Sequence, residues 1–365
     1  MTSAAAAMPA PVYEAPRPGF IRALVVDDSA VAREVISAAL SMDPFCEVTT
    51  APNAAIAAER IRQQRPDVVV LDLELPGMSG LAFLEQLMAR DPIPVVVCSG
   101  IARPGAAVAV RALELGAVEV ISKPDVGIRA LLATGGRALS EVVRAAAQAQ
   151  VRRFKCSASR ERVRATLPPR EVLSGAWIGP VIVLGASTGG TEALRTILTE
   201  LPADAPPVVV VQHMPGAFTE AFARRLDTLC AIHVEEARDG EPLRRGVALI
   251  APGGRHVEIV RRAPGFAVRV FDGPPVTGHR PSVDVLFYSA AGLLGGRAVG
   301  ALLTGMGADG ADGLLAMRKR GARTIAQSEA TSVVFGMPKE AIARGAAIDV
   351  VPLDRIATAL LERAG

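Results

Sequence analysis

Short runs of β-branched and aliphatic residues, each ending in a polar side chain or a glycine turn, recur along this 365-residue chain. VVVLD and VVVCS in the first half, and VIVLGAS and VVVVQH in the second half, are examples. Runs this short and this apolar are typical of strands buried in a parallel sheet, and helical patterns such as LAFLEQLMAR separate them. The pattern therefore predicts βαβ units with right-handed connections and an α/β fold.

The alternation of strands and helices stops between residues 137 and 172 and resumes at 181. Nine Arg or Lys residues in that interval face three Glu residues, and large apolar residues are few. We interpret the interval as a solvated linker; a basic surface for an acidic partner or nucleic acid is the alternative. The predicted organisation is a disordered Ala- and Pro-rich tail over 1–19, a first α/β domain over 20–136, a linker over 137–177 and a second, doubly wound α/β domain over 178–365.

Composition argues against several classes of protein. The 40 basic and 37 acidic residues give a net charge of +3, without the strong basic excess of a dedicated nucleic-acid-binding protein. The four cysteines form no C-x-x-C pair, so we expect reduced thiols and a cytoplasmic location. No apolar run approaches the ~20 residues of a membrane span, and the tail lacks the segments of a signal peptide.

Five polar side chains end four of the predicted strands of the first domain. Carboxyl ends of parallel strands meet at one edge of a sheet, so these side chains should lie close together. Three carboxylates repel one another unless a cation joins them, and Mg²⁺ prefers such oxygen ligands. A metal and a lysine could neutralise phosphoryl oxygens while one aspartate acts as the nucleophile. The residues are Asp27, Asp28, Asp72, Ser99 and Lys123.

In this order and spacing, the five residues resemble the receiver domain of two-component response regulators, a flavodoxin-like parallel sheet, over about residues 20–135. The resemblance implies phosphorylation at Asp72. It implies that Ser99 and Lys123 sense the phosphoryl group. It also implies a Mg²⁺ ion held by Asp27, Asp28, Asp72 and the Glu74 carbonyl.

The turn GASTGG after the strand VIVL has two chemical interpretations. It could cradle a dinucleotide pyrophosphate, or it could present Ser187 as a nucleophile within G-x-S-x-G. A dinucleotide site needs an acidic residue at the end of the next strand, where this chain has Gln212-His213-Met214. Ser187 also replaces the glycine that lets the backbone approach pyrophosphate. The nucleophile is the favoured interpretation.

A serine nucleophile needs an imidazole to take its proton and a carboxylate to orient that imidazole. His213 ends the strand after Ser187, and Asp309 lies in the glycine-rich turn after ALLTG. The order Ser, His, Asp differs from the Ser, Asp, His of α/β-hydrolases, which predicts a triad on another scaffold. The remaining candidates are weaker: His233, His256 and His279 among the histidines, and Asp284 and Asp312 among the acids. His256 and His279 are also candidates to line a binding cleft.

The second domain resembles the catalytic domain of the chemotaxis protein-glutamate methylesterases, the CheB family. GASTGG, QHMP, APGGRH, HRPSVD, LLTGMGADG and EATSVVFGMP carry the resemblance, and Ser328 is a small departure from the family's pattern. The resemblance implies hydrolysis of glutamate methyl esters on chemoreceptors with release of methanol, and deamidation of receptor glutamines, without a cofactor for hydrolysis. Thr188 is one candidate oxyanion donor from its place after the nucleophile; the resemblance adds Met306.

Further expectations follow from the order of the two domains. In this family the unphosphorylated receiver packs over the catalytic face, and phosphorylation, by a histidine kinase of the chemotaxis array, loosens it. We expect a monomer with no nucleic-acid partner and no membrane insertion. Two alternatives stay open: an esterase of the same fold in a non-chemotactic array, and a non-catalytic regulator that acts by binding another protein.

Overall fold

The computed structural model describes residues 20–100, 103–123, 136–149, 151 and 177–364. The predicted tail over 1–19 and most of the predicted linker lie outside these residues. The described parts form two α/β units, each built around its own parallel sheet. The predicted fold class is confirmed.

The first domain has a five-stranded parallel sheet in the order β2-β1-β3-β4-β5. This is the flavodoxin-like order, in which ligands sit beyond the carboxyl ends of the central strands. The strands are Ile21–Val26 (β1), Cys46–Ala51 (β2), Val68–Leu71 (β3), Val95–Ser99 (β4) and Glu119–Ser122 (β5).

Four helices connect these strands, and three of them begin at a side chain that caps the helix. Ser29, Asn53 and Ser79 each accept a hydrogen bond from the backbone N–H three residues on, which satisfies an otherwise free donor. The helices are Ala30–Leu40 (α1), Ala54–Gln63 (α2), Gly80–Arg90 (α3) and Arg103–Glu114 (α4).

Helix α5, Gly136–Ala147, belongs to the first domain, although the boundary predicted from the sequence was residue 136. Its Leu139 and Val143 are buried in the same cluster as Val25 of β1. The Ser140 hydroxyl donates to the Ala39 carbonyl of α1 at 3.1 Å. The basic residues of this stretch suggested a solvated segment, but one face of the helix carries enough aliphatic side chains to pack.

The second domain is built on a seven-stranded parallel sheet in the order β14-β13-β12-β6-β7-β9-β8. Strands β10 and β11 form a separate antiparallel hairpin. The strands are Val181–Ala186 (β6), Val208–Gln212 (β7), His233–Glu236 (β8), Val247–Ile250 (β9), His256–Arg262 (β10), Gly265–Phe271 (β11), Ala298–Leu302 (β12), Arg323–Gln327 (β13) and Asp349–Val351 (β14).

Helices cover both faces of this sheet, as a doubly wound fold requires. The central strands β6, β7 and β12 are buried along their whole length. No helix in the described parts of the chain is both long and apolar enough to cross a bilayer. The helices are Gly190–Thr199 (α6), Gly216–Asp227 (α7), Val283–Leu293 (α8), Ala311–Lys319 (α9), Met337–Ala343 (α10) and Leu353–Ala364 (α11).

Candidate active site

Three of the predicted residues follow neighbouring strands of the second sheet. Ser187 comes directly after β6, His213 directly after β7, and Asp309 lies in the loop after β12. Since β12, β6 and β7 are consecutive in the parallel sheet, their carboxyl ends meet at one edge. Ser187 and Asp309 are buried, and the side chain of His213 is 8% exposed. The edge therefore gathers a hydroxyl, an imidazole and a carboxylate in a site largely shielded from water.

Backbone hydrogen bonds hold the turn that carries Ser187. The Ser187 N–H donates to Thr304 O at 3.0 Å, and the Gly190 N–H donates to Ser187 O at 2.7 Å. Gly189 caps helix α6 with a φ of 76°, and a Cβ there would lie 2.5 Å from the Cβ of Val333. Only glycine fits that position without strain, which explains the glycine after Ser-Thr in the motif.

Asp309 is surrounded by hydrogen-bond donors. Its Oδ2 accepts the Val283 N–H at 2.7 Å and lies 2.8 Å from His213 Nε2. Its Oδ1 accepts from Thr277 Oγ1 at 2.6 Å, Ser282 Oγ at 2.7 Å and the Asp284 N–H at 3.2 Å.

The net effect is a carboxylate that stays ionised. Burial favours the neutral acid, but the hydrogen bonds and the charge of His213 outweigh it and hold the pKa of Asp309 far below its usual range. Residues 283 and 284 begin helix α8, so the positive end of that helix also favours the negative charge.

His213 lies between Asp309 and His279. With Asp309 ionised, Nε2 of His213 carries a proton, which leaves the Nδ1 lone pair as the basic position of the neutral ring. Nδ1 is buried and has no hydrogen-bond partner among the described residues, and Ser187 Oγ makes no direct hydrogen bond to it there. The His279 ring stacks on His213 with centroids 3.8 Å apart.

Burial and repulsion from His213 lower the pKa of His279 to about 4, although Asp309 opposes the shift. His279 is therefore a neutral ring at neutral pH. From the sequence, His279 was a candidate to line a cleft. His279 lies in a turn between residues 271 and 283, and the position of that turn depends on the whole fold. Neighbouring residues in the sequence therefore do not indicate that His279 stacks on His213.

Two backbone N–H groups lie next to Ser187. Those of Thr188 and Met306 donate to no described residue. Both flank the Ser187 side chain: Thr188 follows it in the chain, and Met306 follows Gly305, where a Cβ would lie 2.6 Å from that of Ser187. Free N–H groups so placed can bind an oxygen that becomes negative when Ser187 attacks a carbonyl.

The rival residues have other partners. Nε2 of His256 bonds the Pro274 carbonyl at 2.9 Å, so this histidine fixes the loop rather than facing Ser187. Asp284 accepts the Gly313 N–H at 2.7 Å, and burial raises its pKa to about 6. Asp312 pairs with Arg344 at 2.7 Å, and His233 lies 3.7 Å from Asp227.

The first domain gathers its predicted residues at the carboxyl edge of β1, β3, β4 and β5. Carboxylate oxygens of Asp27, Asp28 and Asp72 lie within 4.8 Å of one another. Nζ of Lys123 lies 2.7 Å from Asp72 Oδ2 and 2.9 Å from Asp27 Oδ2. Three clustered carboxylates form a donor set that suits a hard divalent cation such as Mg²⁺.

The remaining two predicted residues border this cluster. The Glu74 N–H donates to Asp72 Oδ1 at 3.2 Å, which fixes the loop that carries the Glu74 carbonyl. Ser99 is buried at the end of β4, and the Lys123 N–H donates to its carbonyl at 2.8 Å.

Comparison with known proteins identifies both domains. Residues 182–360 match the family described as CheB methylesterase, and residues 23–133 match the response regulator receiver domain. A protein of Anaeromyxobacter dehalogenans named protein-glutamate methylesterase/protein-glutamine glutaminase 1 is 55% identical, over 93% of this chain and 98% of its own length. The chain belongs to the CheB methylesterase family. The resemblance drawn from the sequence is thus confirmed.

Further relatives match most of the chain or its second domain. The protein-glutamate methylesterase/protein-glutamine glutaminase 3 of Geobacter metallireducens is 50% identical over 94% of this chain and 99% of its own length. The crystal structure of the Thermotoga maritima CheB methylesterase catalytic domain is 38% identical and covers 51% of this chain and 99% of that chain, with a TM-score of 0.50. The chain is therefore an enzyme of this family, with a receiver domain in front of a methylesterase domain.

The receiver domain touches the turn that carries Ser187. The Gly189 N–H donates to the Val118 carbonyl, next to β5, at 3.3 Å. The carboxyl group of Glu119, the first residue of β5, lies near enough to the Thr188 side chain for that hydroxyl to lower its pKa. Burial raises the pKa of Glu119 to about 7, although the Val120 N–H and the Thr188 hydroxyl oppose the shift.

A second contact joins helix α4 of the receiver to helix α7 of the methylesterase domain. The Arg225 guanidinium bonds both carboxylate oxygens of Glu114, one of them at 3.2 Å. Val334 is buried in the same cluster as Val118, and Met306 packs against that cluster. Residues on both sides of Ser187 in space are therefore covered by the receiver domain.

Proposed function

We propose that this protein is a phosphorylation-activated serine hydrolase that removes methyl groups from glutamate methyl esters of chemoreceptors, releases methanol, and deamidates receptor glutamines. The observation that carries the proposal is the 2.8 Å contact of His213 with Asp309 at the sheet edge where Ser187 lies. The names of relatives about half identical to this chain supply the substrate class.

Ser187 is the nucleophile in this mechanism. Its Oγ attacks the ester carbonyl carbon while Nδ1 of His213 takes the hydroxyl proton, and Asp309 holds the ring through Nε2. The backbone N–H groups of Thr188 and Met306 bind the oxygen that becomes negative. His213 then returns the proton to the departing methanol.

Water completes the reaction. It attacks the carbonyl carbon of the ester now formed with Ser187 Oγ and gives a proton to His213. His213 returns that proton to Oγ as the bond between carbon and Oγ breaks, which frees the glutamate carboxyl group and restores the Ser187 hydroxyl. A glutamine side chain follows the same steps with ammonia as the leaving group, so one site serves both reactions.

The receiver domain accepts the phosphoryl group on Asp72. Asp27, Asp28, Asp72 and the Glu74 carbonyl would hold Mg²⁺, which neutralises charge on phosphoryl oxygens. Lys123 already bonds Asp72, and it would move to the phosphoryl oxygens, with Ser99 as a hydroxyl contact.

Strand β5 connects the phosphorylation site to the esterase site. Lys123 follows the carboxyl end of β5, and Val118 and Glu119 at its other end touch the Ser187 turn. The two ends are separated by about 13 Å at ~3.3 Å per residue. A shift of Lys123 toward a phosphoryl group therefore acts on the strand that contacts Thr188 and Gly189, and loosens the domain contact.

The partners follow from this chemistry. The substrate is the cytoplasmic part of a chemoreceptor, and the phosphodonor is a histidine kinase of the same array. The enzyme works in the cytoplasm, as a monomer and without nucleic acid. The segment between the two domains would have to allow them to separate.

Peptide mapping of a methylated receptor after incubation with the enzyme tests the proposal. We expect glutamate in place of methyl-glutamate and of the glutamine at methylation sites with wild type, and no change with Ser187→Ala. Unchanged receptor after incubation with the phosphorylated wild-type enzyme would contradict the substrate assignment.

A further inference from the structure

A tight turn beside the catalytic carboxylate has an unusual residue at its tip. The Val276 N–H donates to the His279 carbonyl at 3.0 Å, and the His279 N–H donates to the Val276 carbonyl at 2.9 Å. The two residues between them, Thr277 and Gly278, have φ values of 51° and 82°. Positive φ at both central positions is the geometry of a two-residue type I′ turn.

Thr277 is poorly suited to that turn. It is the one non-glycine residue with a positive φ among those that the structure describes. A β-branched residue rarely adopts this conformation, whereas Asn and Gly adopt it readily. Strained backbone of this kind persists where surrounding interactions hold it, and it is concentrated at functional sites. The strain at Thr277 therefore requires a compensating contact.

The Thr277 hydroxyl supplies that contact. Oγ1 lies 2.6 Å from Oδ1 of Asp309 and 2.7 Å from the Val276 carbonyl oxygen. A hydroxyl has one proton to donate, and the ionised carboxylate is the stronger acceptor. At the other end of the same turn, the His279 ring stacks on His213. The turn thus touches both partners of the His213–Asp309 pair.

We propose that Thr277 is a positioning residue, whose hydroxyl fixes Asp309 Oδ1 so that Oδ2 faces His213 Nε2. The other non-histidine donors to Asp309 come from Ser282, Val283 and Asp284 at the start of helix α8. Thr277 donates from a separate turn, the one that also carries His279. Its hydrogen bond therefore restrains rotation of the Asp309 carboxylate relative to that turn. The proposal rests on the proposed function and deepens it.

Three variants of the full-length enzyme, with Mg²⁺ and acetyl phosphate, test this role. Thr277→Gly removes the hydroxyl and the strain together, Thr277→Val removes the hydroxyl alone, and Thr277→Ser keeps it. Methanol release from methylated receptor membranes gives kcat and KM. We expect kcat to fall about 10-fold in the Gly and Val variants with KM nearly unchanged, and to stay within about twofold of wild type in the Ser variant.

Two readouts separate positioning from a structural role. The Tm of Thr277→Gly should be no lower than that of wild type, because glycine relieves the strained φ. The acid side of its pH–activity profile should move to higher pH, because an Asp309 carboxylate with one donor fewer attracts a protonated His213 more strongly. Thr277→Ser should show neither loss of activity nor the displaced profile.

The outcome separates this proposal from the proposed function. Wild-type kcat and pH profile in both Thr277→Gly and Thr277→Val would overturn the role of Thr277 while wild-type methanol release still supports the esterase. Absence of methanol release by wild type would overturn the proposed function. In that case the downfield ¹H NMR signal of the His213 Nε2–H tests the role of Thr277 without a substrate. A change of its chemical shift in Thr277→Gly but not in Thr277→Ser supports the role. An unchanged chemical shift in both variants contradicts it.

Discussion

The carboxylate of Asp309 lies 2.8 Å from Nε2 of His213, and Nδ1 on the other side of that ring is left without a partner among the described residues. One nitrogen of the imidazole is thus tied to an acid, and the other is available to a proton. A serine nucleophile at the end of the neighbouring strand requires this arrangement of the two ring nitrogens.

Asp309→Asn should abolish most activity with little effect on the fold. The amide keeps the shape of the side chain but removes the charge that fixes the His213 tautomer. We expect kcat for methanol release to fall on the order of 10⁴-fold, the loss typical of such a change, with KM nearly unchanged. A variant that keeps more than a tenth of wild-type kcat would exclude Asp309 from the triad.

Gly305→Ala should inactivate the enzyme through the nucleophile turn. An added Cβ would meet the Met337 sulfur and lie 2.6 Å from Ser187 Cβ, so Ser187 must move. Gly292→Ala in helix α8 is the matched control, because a Cβ there meets nothing within 4 Å and alanine favours the helix by roughly 1 kcal/mol. Measured methanol release should be lost in the first and retained in the second; equal activity in the two variants would contradict the tight packing around Ser187.

Arg225→Ala should raise the activity of the unphosphorylated enzyme. It removes the ion pair with Glu114 that joins α7 to α4. The side chain of Arg225 is 36% exposed and that of Glu114 is 14% exposed. Such a pair contributes at most about 1 kcal/mol, so basal methanol release should rise by up to ~5-fold while the phosphorylated rate stays the same.

Arg224→Ala is the control for that experiment. Arg224 neighbours Arg225 but pairs with Glu220 in its own helix, and its side chain is 73% exposed. Its basal rate should equal that of wild type. A rise of the same size in both variants would show that the Glu114 pair does not hold the domains together.

The contact between the domains should weaken as pH rises through about 7. Burial raises the pKa of Glu119 to about 7, so the protonated form is the one that the closed contact favours. The stabilisation is complete below the ordinary carboxyl value of 4.5 and is lost as pH rises through the folded-state value.

Methanol release before and after phosphorylation, measured from about pH 6 to about pH 8, checks this. The basal rate, divided by the phosphorylated rate, should increase with pH in wild type. Glu119→Gln stays neutral throughout, so its ratio should be flat over the range. A ratio that rises equally in both proteins would exclude Glu119 as the titrating group.

Much of this fold was predictable because its central strands carry a strong local signal. Uninterrupted runs such as Val68–Leu71 and Val208–Gln212 are buried on both faces, and each ends at a residue of a site. The edge strands β2 and β8 were missed because their residues, CEVTTA and HVEE, are polar and partly exposed. A strand at a sheet edge needs little apolar surface, so periodicity does not identify it.

The contacts between elements could not be read from the sequence. Thr277 and His279 lie in a turn that looks like an ordinary loop, and only the folded chain brings them to Asp309 and His213. The roles assigned to Ser187, His213 and Asp309 stay predictions.

Methanol release from methylated receptor membranes, with and without acetyl phosphate and Mg²⁺, tests the central claim most directly. Wild type, Ser187→Ala and Asp72→Ala should be compared in one assay. We expect methanol release to require Ser187 and to rise on phosphorylation only when Asp72 is present. Release that survives Ser187→Ala, or stimulation that persists in Asp72→Ala, would contradict this expectation.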